Sequence, residues 1–120
     1  MAGPLTDAER RRLENELLRR FFHDCDECDS LGYHPRVFRQ MLAERGPVET
    51  ARIVLMSPKR IPDGFMILLE RGRLDLTTEV KVLDGRFCRL FDEELLIRAR
   101  NRLREYGYQD LSCPCLDAGP

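Results

Sequence analysis

Glycine and proline residues divide this chain into short segments, and most of these segments space their apolar residues as a helix does. Leu13, Leu17 and Phe21 follow one another at steps of four, which places them on one side of a helix. Thr6 and Glu9 have the spacing of a capping box, so we expect the helix to begin directly after Thr6. Gly32 suits the left-handed position that ends it. The sequence therefore predicts a long N-terminal helix.

Shorter segments of the same kind follow through the middle of the chain. Pro35 and Pro47 each suit the first turn of a helix, and Gly46 separates the two segments. Two prolines within residues 57–62 exclude a helix there and predict a loop. Residues 77–83 are rich in β-branched side chains and leave helix and strand open. We favour helix, because a single short strand would have no partner.

The C-terminal helix has the clearest boundaries. Asp92 is placed to cap it, and two carboxylates follow in the first turn, where the helix dipole favours negative charge. Gly107 suits the left-handed cap at the other end, with Tyr108 folding back on Leu103. These patterns together predict an all-α fold.

We expect a compact bundle of about five to six helices, several of them short, with a long N-terminal and a long C-terminal helix. Residues 1–108 are predicted to form the single domain, since a chain of 120 residues suits one hydrophobic core. Residues 109–120 show no periodicity and are predicted to be a flexible tail. The core is expected where Phe21, Leu42, Leu69 and Leu103 meet.

The charge is balanced overall but uneven along the chain. Twenty Lys and Arg residues face 21 Asp and Glu residues, so no overall field draws in nucleic acid or an anionic membrane. Residues 32–73 nevertheless hold eight basic and four acidic side chains, whereas both ends are acidic. This basic middle is the predicted interaction surface, through Arg36, Arg39, Arg45, Lys59 and Arg60.

The location of the protein is expected to be cytoplasmic. No stretch approaches the roughly 18 apolar residues of a membrane helix, and the first residues lead straight into charged ones, unlike a secretory signal. No membrane partner is therefore expected. Five cysteines are an odd number, and we expect free thiols or a metal site rather than a disulfide framework.

Two cysteine pairs are the strongest candidates for metal chemistry. Cys25 with Cys28, and Cys113 with Cys115, would supply the four ligands of a structural zinc ion. However, Cys25 and Cys28 also continue the apolar stripe of the first helix, and free cysteine packs well as a small core residue. We favour inert core thiols and no cofactor, with structural zinc as the alternative and redox chemistry behind it.

Residues 35–56 also have the outline of a helix-turn-helix. Its second helix would read bases through Glu49, Thr50 and Arg52, while basic side chains nearby contacted phosphates. Paired short helices are equally common in helical cores without nucleic acid. Nucleic acid is therefore an alternative partner.

Catalytic patterns are lacking. His23 and His34 are the only histidines, no serine lies in a nucleophile elbow, and no glycine-rich phosphate loop is present. We predict that the chain is not an enzyme.

Several blocks of the sequence resemble a family of short, helical, mainly bacterial hypothetical proteins. The resemblance covers roughly residues 32–108 and implies a compact cytosolic helical domain. That family has no established activity, so the resemblance implies no site residue. The blocks are Gly32-Tyr33, Leu42-x-Glu44-Arg45-Gly46, Asp63-Gly64-Phe65, Glu70 to Glu79 (ERGRLDLTxE) and Leu90-Phe91-x-Glu93-Glu94-Leu95.

The sequence thus favours a non-catalytic helical accessory module that binds another protein. A small helix-turn-helix-like nucleic-acid-binding protein and a zinc-stabilised helical module are the alternatives.

Overall fold

The computed structural model describes residues 4–57 and 63–117. Within these ranges the chain forms helices and no strand, which confirms the all-α prediction. Two short 3-10 helices, Leu74–Leu76 and Cys88–Leu90, lie between the α-helices. The α-helices are α1 Asp7–Ser30, α2 Arg36–Arg45, α3 Pro47–Met56, α4 Asp63–Glu70, α5 Thr78–Leu83, α6 Glu93–Glu105 and α7 Pro114–Asp117.

Helix α1 begins and ends at the predicted signals. The Thr6 hydroxyl accepts a hydrogen bond from the Glu9 amide at 3.1 Å, and the Glu9 carboxylate accepts one from the Thr6 amide at 2.9 Å. At the other end Gly32 has a φ of 84°, and the Tyr33 amide donates to the Cys28 carbonyl at 3.0 Å. Both caps satisfy backbone groups that a helix end otherwise leaves to water.

Gly46 alone joins α2 to α3. Its φ of 83° turns the chain, and Pro47 follows as the first residue of α3, as predicted. Pro35 lies one position before α2 rather than in its first turn. The two helices therefore form a tight hairpin. Of the predicted loop at residues 57–62, Ser57 lies after the end of α3, and residues 58–62 lie outside the described residues.

Residues 78–83 are helical, which resolves the ambiguity between helix and strand. The Thr77 hydroxyl accepts a hydrogen bond from the Val80 amide at 3.3 Å and so caps α5. The capping side chain and the packing of Val82 and Leu83 into the core outweigh the strand propensity of the β-branched residues.

Helix α6 also has its predicted caps. The Asp92 carboxylate accepts from the Leu95 amide at 3.0 Å. Gly107 has a φ of 82°, and the Tyr108 amide donates to the Leu103 carbonyl at 3.0 Å. Both interactions are local in sequence, which is why the sequence pattern predicted them.

The core forms where expected, apart from one position. Phe21, Leu42 and Leu103 are buried in a single cluster. Leu69 is only half-buried, so its predicted central place is wrong. Leu68 is buried instead, in a smaller cluster with Cys28. Neighbouring helix positions point about 100° apart, so a small rotation of α4 decides which leucine faces inward.

Residues 111–117 pack against the body, where the sequence predicted a flexible tail. Cys113 is fully buried, and Leu111 and Leu116 contact the core cluster. Arg100 of α6 forms an ion pair with Asp117 at 2.7 Å. This segment has no periodicity because single residues, rather than one face of a long helix, hold it in place.

Among the described residues, no helix combines the length and the apolar character that a bilayer-spanning segment needs.

Candidate functional site

The predicted basic surface is only partly available to a partner. Arg36 and Arg45 lie exposed on α2, and neither makes an ion pair within the described residues. Val37, between them on the same helix, is 70% exposed. Lys59 and Arg60 lie outside the described residues. The α2 surface, defined here as Arg36, Val37 and Arg45, thus has an exposed apolar side chain next to one cation at the start of the helix and a second cation about 12 Å further along it.

Arg39 does not belong to this free surface. Its guanidinium contacts Asp26 at 3.1 Å and Asp29 at 2.5 Å, at the C-terminal end of α1. His34 also bonds Asp29, at 2.8 Å. The hydrogen bonds from His34 and Arg39 lower the pKa of the Asp29 carboxyl. Arg39 thus offsets the carboxylates that would otherwise oppose the helix dipole.

The exposed side of α3 offers few groups for reading bases. Thr50 is fully buried, so its predicted place on a recognition face is wrong. Its hydroxyl has no hydrogen-bond partner among the described residues. Glu49 and Arg52 remain exposed, and they lie 3.7 Å apart as an ion pair. Thr50 is turned inward because it continues the buried face that Ala51 and Leu55 form.

The structure does not bring the four candidate zinc ligands together. Cys25 and Cys28 are buried in α1, Cys113 is buried near α7, and Cys115 forms a disulfide with Cys88. In residues 4–57 and 63–117 no three His, Cys, Asp or Glu side chains are grouped so as to hold a metal ion.

The disulfide corrects the expectation of free thiols or a metal site for Cys88 and Cys115, whereas Cys25, Cys28 and Cys113 are free. Packing of α7 on the 3-10 helix at Cys88–Leu90 brings the Cα atoms of Cys88 and Cys115 within 6.2 Å, a separation typical of disulfides. The bond joins residues 27 positions apart, and no local pattern in the sequence indicates such a pairing.

The thiols of α1 are poorly suited to nucleophilic or redox chemistry. Burial raises the pKa of the Cys25 thiol to about 12 and that of the Cys28 thiol to about 11. Because the thiolate is the reactive form, both groups stay protonated near neutral pH. They act here as small packing residues.

A half-open cavity of about 170 Å³ lies between α1, α2, α3, α4 and the start of α5. Sequence reasoning missed it, because its wall is assembled from segments far apart in the chain. No local pattern indicated it, because Cys25, Cys28 and Leu76 on its wall have the spacing of ordinary core residues. Much of the wall is aromatic or aliphatic, from Phe21, Phe38, Met41, Phe65, Leu68 and Leu76.

Two carboxylates also line the cavity, and each has its own cation. Lys81 Nζ lies 3.1 Å from Asp24 Oδ2, and Arg102 donates a hydrogen bond to Glu79 at 2.6 Å. Burial raises the pKa of both carboxyls, and the neighbouring cations oppose that shift. Because positive and negative charges balance, this side of the cavity carries no net charge.

Comparison with known proteins gave no match to a protein-family model, to a curated protein or to a solved structure. The resemblance to short bacterial helical proteins therefore stays a prediction.

Proposed function

We propose that this chain is a non-catalytic helical module that binds another protein through the α2 surface. The observation that carries the proposal is the 70% exposure of Val37 on a helix that also exposes Arg36 and Arg45, neither of which has an ion-pair partner among the described residues. Burying a valine side chain is worth about 1.5–3 kcal/mol, and arginine is enriched at protein interfaces. The partner is therefore a protein whose surface has a small apolar patch with one acidic group next to it and another about 12 Å away.

Protein is favoured over nucleic acid as the partner because of how α3 packs. The helix that would read bases buries Thr50, and its exposed Arg52 is close to Glu49. A reading helix needs several free polar side chains that reach base edges. The α2 surface would instead offer two cations and an apolar contact.

The non-catalytic part of the proposal is supported by the raised pKa values of two cysteine thiols. Cys25 and Cys28, the thiols nearest to a histidine in the sequence, have pKa values of about 12 and about 11. A thiol nucleophile needs the opposite shift.

Quantitative affinity capture from the producing cells tests the proposal. Wild type should enrich a protein with an acidic surface patch, and the double variant Arg36→Glu/Arg45→Glu should lose it. Arg98→Glu, an exposed charge reversal on α6, is the matched control and should keep it. Capture should also weaken as salt is raised, because exposed charges are screened. The same set of captured proteins with all three forms of the chain would contradict the proposal.

A titration with a labelled DNA duplex at two salt concentrations tests the alternative partner. Under the proposal no binding is expected at low salt, where phosphate contacts are strongest. Binding that Arg36→Glu/Arg45→Glu abolishes would replace the protein partner by nucleic acid. Elemental analysis of untagged protein addresses zinc, and about one bound equivalent would favour the metal-stabilised alternative.

The cytoplasmic location that the sequence predicts also stays a proposal, and Cys88–Cys115 gives it a test. Reducing compartments keep most thiols free. If the protein is cytoplasmic, alkylation of cells lysed directly in denaturant, which exposes the buried Cys88, should therefore label both cysteines. Protection of both would indicate an oxidising compartment.

A further inference from the structure

The Cys88–Cys115 disulfide joins a buried residue to an exposed one. Cys88 is 1% exposed and belongs to the core cluster, whereas Cys115 is exposed. A thiolate that opens a disulfide must reach one of the two sulfur atoms, and it approaches from the side opposite the sulfur that leaves. For attack on Cys115 that side faces away from the core, whereas for attack on Cys88 it lies within the protein. Access therefore directs an incoming thiol to Cys115.

Few contacts besides the disulfide hold residues 111–117 on α6 and on the 3-10 helix at Cys88–Leu90. Within the described residues, no hydrogen bond between backbone groups joins this segment to either helix. The Arg100–Asp117 ion pair is partly exposed, with 47% exposure at the carboxylate, and such pairs stabilise little. The apolar contacts come from Leu111, Cys113 and Leu116. A segment with so few buried contacts is the kind that opens locally while the rest stays folded.

The three free thiols distinguish opening of this segment from unfolding of the chain. All three are buried, Cys113 in the segment and Cys25 and Cys28 in α1. If residues 111–117 detach, Cys113 becomes accessible, while Cys25 and Cys28 stay covered. If the whole chain unfolds, all three become accessible together.

We propose that Cys115 is a modification site, at which a small thiol such as glutathione opens the disulfide and so lets residues 111–117 detach more often. The glutathione thiolate forms a bond to Cys115 Sγ as the bond to Cys88 breaks, and Cys88 Sγ leaves with the electron pair and takes up a proton. One disulfide is exchanged for another, so this step needs no oxidant.

A second glutathione completes the reduction. Its thiolate attacks the glutathione sulfur of the mixed disulfide, which gives glutathione disulfide and leaves Cys115 as a thiol. The two electrons come from the two glutathione molecules. The cysteine pair is thereby a redox switch that controls how often the segment opens.

Mass spectrometry of the full, unreduced chain after brief treatment with glutathione tests the point of attack. The mixed disulfide should form on Cys115, and a free thiol should appear at Cys88. Cys113 and Cys115 share one tryptic peptide, since no Lys or Arg follows Arg104, so fragmentation between the two cysteines is needed to place the adduct.

Alkylation of the folded protein with iodoacetamide tests the detachment. After glutathione treatment and removal of the excess, Cys113 should react about ten-fold or more faster than in the untreated chain, a conservative share of the effect of one disulfide. Cys25 and Cys28 should stay slow in both forms. Cys115→Ser should show the fast reaction of Cys113 without glutathione. Cys28→Ala, which removes a buried thiol far from the bond, is the matched control and should behave as wild type.

Four results would overturn the proposal. A first adduct on Cys88 would refute the argument from access, and five free thiols in the untreated chain would mean that there is no bond to open. Unchanged reactivity of Cys113 after the bond opens would mean that packing alone holds the segment. Equal acceleration of Cys25, Cys28 and Cys113 would mean that the chain unfolds as a whole. Treated wild type gives each of these answers even if Cys115→Ser does not fold.

Discussion

Opening the Cys88–Cys115 disulfide should lower the free energy of unfolding by about 3.5 kcal/mol. The bond joins residues 27 positions apart, and the entropy of closing a loop of this length in the unfolded chain gives about 3.5 kcal/mol at 25 °C, within the usual 2–4 kcal/mol. Cys115→Ser is the suitable change, because Cys115 is exposed whereas Cys88 is buried. The substitution therefore removes the covalent bond and little packing.

Urea denaturation of wild type and Cys115→Ser, each with and without a phosphine reductant, measures the effect. With a urea dependence of about 1–3 kcal/mol per M, the midpoint should fall by about 1.2–3.5 M in the variant. Reductant should lower the wild-type midpoint to the same value and leave the variant unchanged. Counting thiols in denaturant gives an independent check, with three free thiols expected in unreduced wild type.

Two results would refute this reasoning. Five reactive thiols in unreduced, denatured wild type would mean that the bond does not form. Three thiols together with equal midpoints for wild type and Cys115→Ser would mean that the loop is already constrained in the unfolded chain, so that the closure entropy does not apply.

Three further predictions concern single side chains. Glu79→Gln should lower the free energy of unfolding by about 3–5 kcal/mol, because it leaves the largely buried Arg102 without its counter-charge; urea denaturation measures this, and a loss below about 1 kcal/mol would contradict it. Thr50→Val should change stability by about 0–1 kcal/mol in the favourable direction, because it removes a buried hydroxyl that has no partner, and clear destabilisation in the same assay would show that the hydroxyl is satisfied. Asp29 has a lowered pKa in the folded state, so its contribution to stability should be complete well above the unfolded value of 3.8 and should be lost as the pH falls through the lower folded pKa. Urea denaturation between about pH 6 and pH 2 should show a weaker acid dependence for Asp29→Asn than for wild type, and identical pH profiles would contradict this.

The fold was largely predictable because its signals are local. The capping pairs Thr6 with Glu9 and Asp92 with Leu95 are three residues apart, and the left-handed cap at Gly107 needs only its neighbours. Such interactions form within one turn of chain, so residue type and spacing are enough to anticipate them. The misplaced Leu69 shows the limit of this reasoning, because the inward face of α4 depends on its packing partners.

The candidate site was much less predictable. Arg36 and Arg45 were expected to be available and are exposed, but Arg39 is held by Asp26 and Asp29. Charge counting along the sequence treats all three arginines alike, because it does not include the carboxylates that contact each arginine in the folded chain. The cavity gave no signal, since the same apolar residues fill a core or line a void depending on how the helices pack.

The sequence by itself determined where helices begin and end and which residue types they bury, because helical periodicity and end caps act over a few residues. Tertiary structure decided the Cys88–Cys115 disulfide, the ion pair of Glu79 with Arg102 and the cavity lined by Phe21. Each of these joins segments that only the packed chain brings together, so each depends on the relative placement of helices to within a few ångströms. That placement is set by the sum of many weak contacts, and no single stretch of sequence contains it.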